Sequence, residues 1–349
     1  MAEKADRPFV RLDLNENPLG PSPRVMPALQ REFGRLHRYA DHSVEDLISA
    51  IAAREGIAPE QIILGDILEL LGIYLAQTGG RGSEIVHSHP GYTALIDSAV
   101  AVGGNAVAVP LDASLENDLP AIERALGPRT RAVFLVNPQN PTGIAADPIR
   151  WRAAVREFSA RTLVIVDEAY VEFLPSPENH SVVDLVRGGG NVIVFRTFAK
   201  AYGLGGLDVG YGLMPLAVAR ALTARGAGNP HLLNRLAIAA AIASLGDREY
   251  LARVAAAVGM ERREWLAWLK ERLLRHTPSS ANFVFFETGI EHARLSAALR
   301  DRGVLVGRAF APYTNWVRVS IGLPSENELA RGAIAAVLAC PDEAAVPSA

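Results

Sequence analysis

The stretch "TFAKAYGLGGLDVGY" (197–211) carries one lysine, Lys200, directly before a run holding Gly203, Gly205, Gly206 and Gly210. An amine so placed could act as a nucleophile, hold a phosphate or stand in solvent. A Walker loop needs its glycines before the lysine and a Ser or Thr after it; here the glycines follow. A dinucleotide fingerprint begun by Gly203 and Gly205 would need glycine at 208, and residue 208 is an aspartate. That leaves a Schiff-base lysine or a solvated loop lysine, and its company weighs on the choice. Asn140 lies in "NPQNPTG" (137–143), Asp167 and Tyr170 in "DEAY" (167–170), and Thr197 just before the lysine. An amide, a carboxylate, a phenol, a hydroxyl and an amine together suit pyridoxal phosphate chemistry. Taken singly, each has a plain structural reading: "NPTG" is a good turn, "DEA" a helix start and Tyr170 a core residue.

The elements around these residues explain how they could meet. Runs such as "EIVHS" (84–88), "NAVAVPL" (105–111), "RAVFLVN" (131–137), "TLVIVDE" (162–168) and "NVIVFRT" (191–197) are continuously apolar. That is the pattern of central strands covered on both faces. Helices are expected between them at 92–102, 117–127 and 147–160, the last opened by Asp147 as cap and Pro148 in the first turn. The βαβ alternation predicts an α/β fold with a mostly parallel, doubly wound sheet. Ligands of such sheets bind at the carboxyl ends of the strands. Three strand ends therefore converge on one crevice offering Asn140, Asp167, Tyr170, Thr197 and Lys200.

After "NP" (229–230) the pattern changes to helix over 231–244 and about 247–275, then short strands at 281–287, 303–307 and 316–322 and a final helix to about 339. This predicts a smaller α+β domain. The expected division is a large domain over 37–228 and a small one from 1–36 with 229–349. The N-terminal "LNENPLGPSP" holds too many turn formers to pack alone and is expected to dock on the small domain. The tail "DEAAVPSA" is expected to fray.

The 349-residue chain is 49% hydrophobic and 21% charged with net charge −3, an ordinary globular composition. That charge argues against nucleic acid or an anionic membrane as partner. No apolar run approaches the roughly 18 residues of a membrane span, and the first residues lack the apolar core of a secretory signal. One cysteine, Cys340, excludes an internal disulfide framework and fits a reducing compartment, so a soluble cytoplasmic protein is expected. His87 and His89 have ligand-like spacing but no third partner at motif distance, so no metal is expected. In "ERREWLAWLKERLLR" (261–275), Trp265, Trp268 and Leu269 should pack inward from an exposed helix.

The ordered set "LDLNENPLGPSP" (12–23), "RYAD" (38–41), "HPGY" (89–92), "NPQNPTG", "DEAY", "TFAKAYGLGGL" (197–207) and "NWVRVSIGLP" (315–324) resembles the fold-type I pyridoxal-phosphate aminotransferases, in the histidinol-phosphate aminotransferase-like branch. The resemblance spans nearly the whole chain and implies an aspartate aminotransferase-like fold, pyridoxal 5'-phosphate as cofactor, and an L-amino acid and a 2-oxo acid as substrates. It implies that Lys200 bonds the cofactor and shuttles the proton, which requires its pKa to be lowered. Asp167 would keep the pyridine nitrogen protonated. Tyr170 and Asn140 would bond the ring's phenolic oxygen, and Tyr92 would stack on the ring. Arg318 would grip the substrate carboxylate with its planar fork. Asn17 would close over the substrate. Tyr39 would reach the phosphate of the neighbouring subunit, so an active homodimer is implied. The same scaffold doing decarboxylation, racemisation or oxidation, or a weakly cofactor-binding homologue, stays open as an alternative.

The family's phosphate cradle is altered. The loop at "LGDILELLG" is about two residues short, a hydroxyl before the lysine is replaced by Ala199, and the arginine expected eight residues after the lysine is Asp208. Thr197, Tyr39 and the helix N-terminus at Asp66 and Ile67 remain as anion partners, with Arg196 and Arg38 as the arginines nearest in sequence.

Overall fold

The computed structural model describes residues 9–40, 42–80 and 82–340. Asp41 of "RYAD" and the tail "DEAAVPSA" lie outside the described residues.

The strands, in chain order, are β1 (Val10–Leu12), β2 (Ile62–Leu64), β3 (Glu84–His89), β4 (Asn105–Pro110), β5 (Thr130–Val136), β6 (Leu163–Asp167), β7 (Val192–Thr197), β8 (Gly210–Leu213), β9 (Phe283–Glu287), β10 (Val304–Val306) and β11 (Trp316–Ser320). Seven of them form one sheet in the order β2-β8-β7-β6-β5-β3-β4. All neighbours are parallel except β8, which runs against both β2 and β7. This is the mostly parallel α/β sheet that the apolar runs predict. Helices cover both faces, so the β5, β6 and β7 interiors are almost entirely buried. Val164, Val166, Val192 and Val194 join one core cluster, while Ile165, Ile193 and Phe195 join the other. The strand pleat sorts neighbours onto opposite faces in this way.

The helix Pro148–Ser159 starts as its sequence signals, with Asp147 accepting the Arg150 N–H at 3.0 Å and proline in the first turn. The antiparallel β2 and β8 are additions to the sequence reading. They are short, and "GYGL" is too rich in glycine to read as a strand. Gly210 is required there, because a Cβ would fall 2.8 Å from the Arg196 carbonyl oxygen.

The rest of the chain packs around β9 and β11, an antiparallel pair, and around a second small sheet of β1 beside β10 in parallel. The 24-residue helix Arg248–Glu271 buries Val254, Val258, Trp265 and Leu269 against them, while Trp268 is partly buried. The N-terminal segment is tied down here: the Asn15 N–H donates to Ser320 Oγ at 2.8 Å, and Asn282 Nδ2 donates to the Asn15 carbonyl at 2.8 Å. Among the described residues, no helix is long and apolar enough to cross a membrane.

Candidate active site

A cavity of about 510 Å³ opens at the carboxyl ends of β6 and β7, roofed by the N-terminal segment and by residues flanking β10 and β11. Lys200, Asp167, Tyr170, Asn140 and Thr197 all line it, as the strand-end argument predicts. Tyr92, Asp66 and Arg318 line it too.

Lys200 Nζ donates to the Leu14 carbonyl at 2.9 Å. Burial, reinforced by the Arg318 charge, pulls its pKa down to about 8, against the opposing pull of Asp167 and Glu16. Asp167 terminates β6 and is buried, with Oδ1 accepting one N–H, that of Ala169, at 2.9 Å. Burial lifts its pKa to about 7, and the Asp66 carboxylate adds to the shift, while the Ala169 N–H and Lys200 oppose it. Base and acid are thus both held near neutrality.

Tyr170 sits edge-on to Phe283, with ring centroids 5.1 Å apart. Its phenol oxygen accepts from Asn15 Nδ2 at 3.1 Å and, at the limit of a hydrogen bond, from Asn140 Nδ2 at 3.5 Å. Asn140 Oδ1 in turn accepts from Arg318 Nη1 at 2.7 Å, and Arg318 Nη2 donates to the Asp13 carbonyl at 2.7 Å. Every observed acceptor of Arg318 is neutral, and its buried Nε has no partner among the described residues. The guanidinium lies between Phe283 and Phe310, 5.5 and 5.2 Å from their ring centres. Gly307 makes room for it, since a Cβ there would stand 3.0 Å from Nε. Burial pushes the arginine's pKa down. A buried cation with no bonded carboxylate, and with only Asp13 in electrostatic reach, is stabilised further by an anion arriving from outside.

At the other edge of the cavity stand Asp66, Asp208, Thr197, Ala199 and Gly205. Thr197 Oγ1 accepts the Ala199 N–H at 3.0 Å, so its own hydroxyl proton is free. Burial raises Asp66 to about 6, with Glu69 and Asp208 adding repulsion and the Leu68 N–H opposing. Asp208 adopts φ of 46°, a left-handed conformation that Asp and Asn tolerate better than other side chains. Tyr92, partly exposed, stands at the mouth, its phenol pKa raised by burial and by Asp66.

Several residues fall elsewhere. Ile67 is buried under Gly212 rather than lining the cavity. Asn17 faces an adjoining hollow, with its amide donating to the Gly20 and Ala201 carbonyls at 3.0 and 2.9 Å. The asparagine facing the cavity is Asn15, two residues earlier, and its φ of 56° is the available signal, because Asn favours such turns. Tyr39 is 67% exposed, stacked near His231 at 4.6 Å and outside its own chain's cavity. Arg196 cannot replace an arginine at 208: it projects from the opposite face of β7 and is bonded to Glu168 and Glu55. Arg38 is exposed and does not line the cavity. Sequence reasoning missed Arg308, a second guanidinium at the cavity, bonded to the Gly91 and Ala309 carbonyls. His87 and His89 lie with ring centroids 6.4 Å apart, and the described residues contain no group of three metal-binding side chains.

The family model for aminotransferase class I and II matches residues 7–334. Histidinol-phosphate aminotransferase 2 of Pseudomonas fluorescens is 39% identical over 340 residues, covering 95% of this chain and 89% of the relative. The crystal structure of histidinol-phosphate aminotransferase from Sinorhizobium meliloti in complex with pyridoxal-5'-phosphate superposes with a TM-score of 0.86 at 31% identity, covering 95% of this chain and 92% of that one. Aspartate aminotransferase from Thermus thermophilus with maleate, at 22% identity, shares the fold with a TM-score of 0.81 over 95% of this chain and 91% of that one.

Proposed function

The chain belongs to the aminotransferase class I and II family, and from that footing we propose that Lys200 bonds pyridoxal 5'-phosphate and moves the proton in its amino transfer between an L-amino acid and a 2-oxo acid. The observation that carries the assignment is one cavity holding a lysine of lowered pKa, an acid at a strand end, and the linked Tyr170–Asn140–Arg318 side chains.

The residues fit a pyridoxal ring. Asp167 suits the ring nitrogen, because a second hydrogen-bond donor would complete the solvation that its single N–H partner leaves short. Tyr170 accepts two amide donors, so its hydroxyl proton is free for the ring's phenolic oxygen. Tyr92 at the mouth suits the ring face, and Thr197 offers a hydroxyl to the phosphate.

The cofactor supplies an electron sink for the pair left when the substrate's α-proton departs. The rest falls to the chain. Lys200, with a pKa of about 8, is neutral in an appreciable fraction at physiological pH and can take that proton and return it to the carbon on the other side of the amino nitrogen. Arg318, held by Asn140 and the Asp13 carbonyl, directs its guanidinium to the substrate's anionic group. The N-terminal segment at Leu14 and Asn15 covers the lysine and limits water.

The relatives' names suggest histidinol phosphate as donor, an amine bearing a phosphate where an amino acid bears its carboxylate. Two guanidiniums at one cavity, Arg308 and Arg318, support that choice. The reading includes a homodimer, supported by the exposed Tyr39 ring lying outside its own cavity, a cytoplasmic location, and division of the chain into a large unit over 37–228 and a small unit from the remainder.

The test is covalent capture. Pyridoxal 5'-phosphate fixed by borohydride should add mass to the peptide bearing Lys200. The capture rate should rise with pH through about 8, as the ammonium loses its proton, and then level off. A fixed mass on another lysine would overturn the assignment.

A further inference from the structure

The cavity treats the two flanks of a pyridoxal ring very differently. Around that ring the aldehyde carbon lies opposite the nitrogen, the phenolic oxygen sits on one flank and the phosphate-bearing arm on the other. With Asp167 at the nitrogen, Lys200 at the aldehyde carbon and Tyr170 with Asn140 at the phenolic oxygen, the phosphate arm is left with Asp66, Thr197, Ala199, Gly205 and Asp208. Two of those five are carboxylates, and a third, Glu69, lies within electrostatic reach of Asp66. Neither cavity arginine serves this flank: Arg318 is bonded to Asn140 and the Asp13 carbonyl, and Arg308, close enough to repel Arg318, donates to the carbonyls of Gly91 and Ala309.

The usual neutral anchor is also contested. A helix N-terminus can hold a phosphate through free N–H groups, and the helix Leu68–Thr78 begins here. Its Leu68 N–H already favours the ionised Asp66 carboxylate, so that charge competes with a phosphate for the same dipole. What remains for the phosphate in this chain is the Thr197 hydroxyl and unpaired backbone groups.

Resting on the reading of Lys200 above, we propose that this chain retains its cofactor chiefly through the covalent link to Lys200, while the acidic phosphate flank makes the unlinked amine form leave readily, so that cofactor exchanges between turnovers. The link forms when Nζ adds to the aldehyde carbon and the carbonyl oxygen departs as water with both amine protons. Transfer of a substrate's amino group returns Nζ as a free amine and leaves the cofactor as pyridoxamine 5'-phosphate, with no bond to the protein. Retention at that stage rests on the ring contacts of Asp167, Tyr170 and Tyr92 and on the phosphate flank, where the like charges stand.

The full-length protein is loaded with pyridoxamine 5'-phosphate, and its release on dilution is followed by the fluorescence of the free amine form. Asp208→Asn is the chosen variant, because asparagine keeps the left-handed backbone while removing the charge. Release from the wild type should be faster than from Asp208→Asn by about tenfold or more, the effect of one like charge a few ångströms away. Phosphate-free pyridoxal should also be captured by wild-type Lys200 nearly as well as pyridoxal 5'-phosphate, and Asp208→Asn should restore a preference for the phosphate. Asp66→Asn is the second variant, with the same expected direction, should the first fail to fold. Slow release from the wild type, unchanged in the variants, would overturn the proposal while leaving the Lys200 assignment standing. No borohydride-fixed mass on Lys200 with either aldehyde would instead overturn that assignment, and this proposal with it.

Discussion

Asp167 and Glu168 are adjacent in the chain, buried and of one charge, yet they stand on opposite faces of the sheet with very different sets of partners. On the far face Glu168 is saturated. It accepts the Val182 N–H at 2.8 Å and two donors of Arg196 at 3.1 and 2.8 Å. Arg196 also reaches Ser181 Oγ at 2.9 Å and Glu55 at 3.2 Å, and Glu55 accepts the Tyr211 hydroxyl at 3.0 Å. On the cavity face Asp167 has one N–H, and Lys200 has one carbonyl. The pleat makes the same contrast one strand over, where Arg196 is locked and its neighbour Thr197 keeps a free hydroxyl. The far cluster fixes strand ends and helices relative to one another. Its near-face neighbours are left short of partners, and their pKa values drift toward neutrality, as acid–base work requires. Two acids complicate the contrast: burial outweighs Glu168's donors and still raises it above the usual carboxylate range, and it lifts Glu172 of the same cluster to about 7, with Oε1 lacking a partner among the described residues. The far cluster therefore holds more carboxylate than it can neutralise.

The sharpest way to break this contrast is to cut one residue from each face. Lys200→Ala should lower turnover by at least about ten-thousand-fold, since in the proposed role one amine carries both bond formation and proton transfer. Its melting temperature should hardly change, because the amine's observed partner is a single carbonyl. Near wild-type steady-state rates would sink the role. Arg196→Met should do the reverse. It strands Glu168 in the interior without a countercharge and leaves Glu55 with Arg54 alone, which costs about 3–5 kcal/mol of stability, while KM at a temperature where the variant stays folded remains near the wild-type value. A variant of unchanged stability and lost affinity would place Arg196 in the site after all.

Much of the cavity was legible in the sequence because each strand is an apolar run that stops at a polar residue, and parallel strands stop on the same side. Asn140, Asp167, Tyr170 and Thr197 came from that rule, and the antiparallel β9 and β11 were visible as short β-branched and aromatic runs. Faces were harder. Sequence proximity offers Arg196 to the phosphate, but its neighbour Thr197 points into the cavity, and period-two alternation sends adjacent residues apart. The sequence does not separate Asn15 from Asn17, because the choice depends on how "LDLNENP" turns after pairing β1 with β10, a contact with no local signature. Arg308 was missed for a related reason: it follows a three-residue strand, and the bend that aims it at the cavity is set by Phe310 stacking and the Gly91 carbonyl. β2 and β8 were unreadable, being three and four residues long with two glycines in the latter.

A smaller test bears on Arg318, a buried cation that keeps neutral partners. Arg318→Ala should raise KM for an anionic donor, whether amino acid or phosphorylated amino alcohol, by the equivalent of about 3 kcal/mol. A plain amine of the same skeleton should be affected far less, because it brings no anion to the guanidinium. Equal losses on both would make Arg318 a scaffold for Asn140 through their 2.7 Å bond.

The smallest expected effect decides which asparagine of the N-terminal segment serves the chemistry. Tyr170 accepts from Asn15 at 3.1 Å and from Asn140 at 3.5 Å, so Asn15 is the stronger of its two donors. A phenol that accepts N–H bonds becomes a better O–H donor, because each bond polarises the next. Removing Asn15 should therefore weaken whatever Tyr170 donates to inside the cavity, and the loss of one neutral hydrogen bond is worth about 1 kcal/mol. Asn15→Ala should lower kcat/KM about fivefold by that energy and shift the pH at which the lysine-linked cofactor's absorption titrates. Asn17→Ala should lower the melting temperature by freeing the Gly20 and Ala201 carbonyls, and leave the titration in place. The reverse pattern, a spectral shift in Asn17→Ala and none in Asn15→Ala, would mean that the segment closes over the substrate with Asn17 foremost, and that the Asn15–Tyr170 bond belongs to the scaffold.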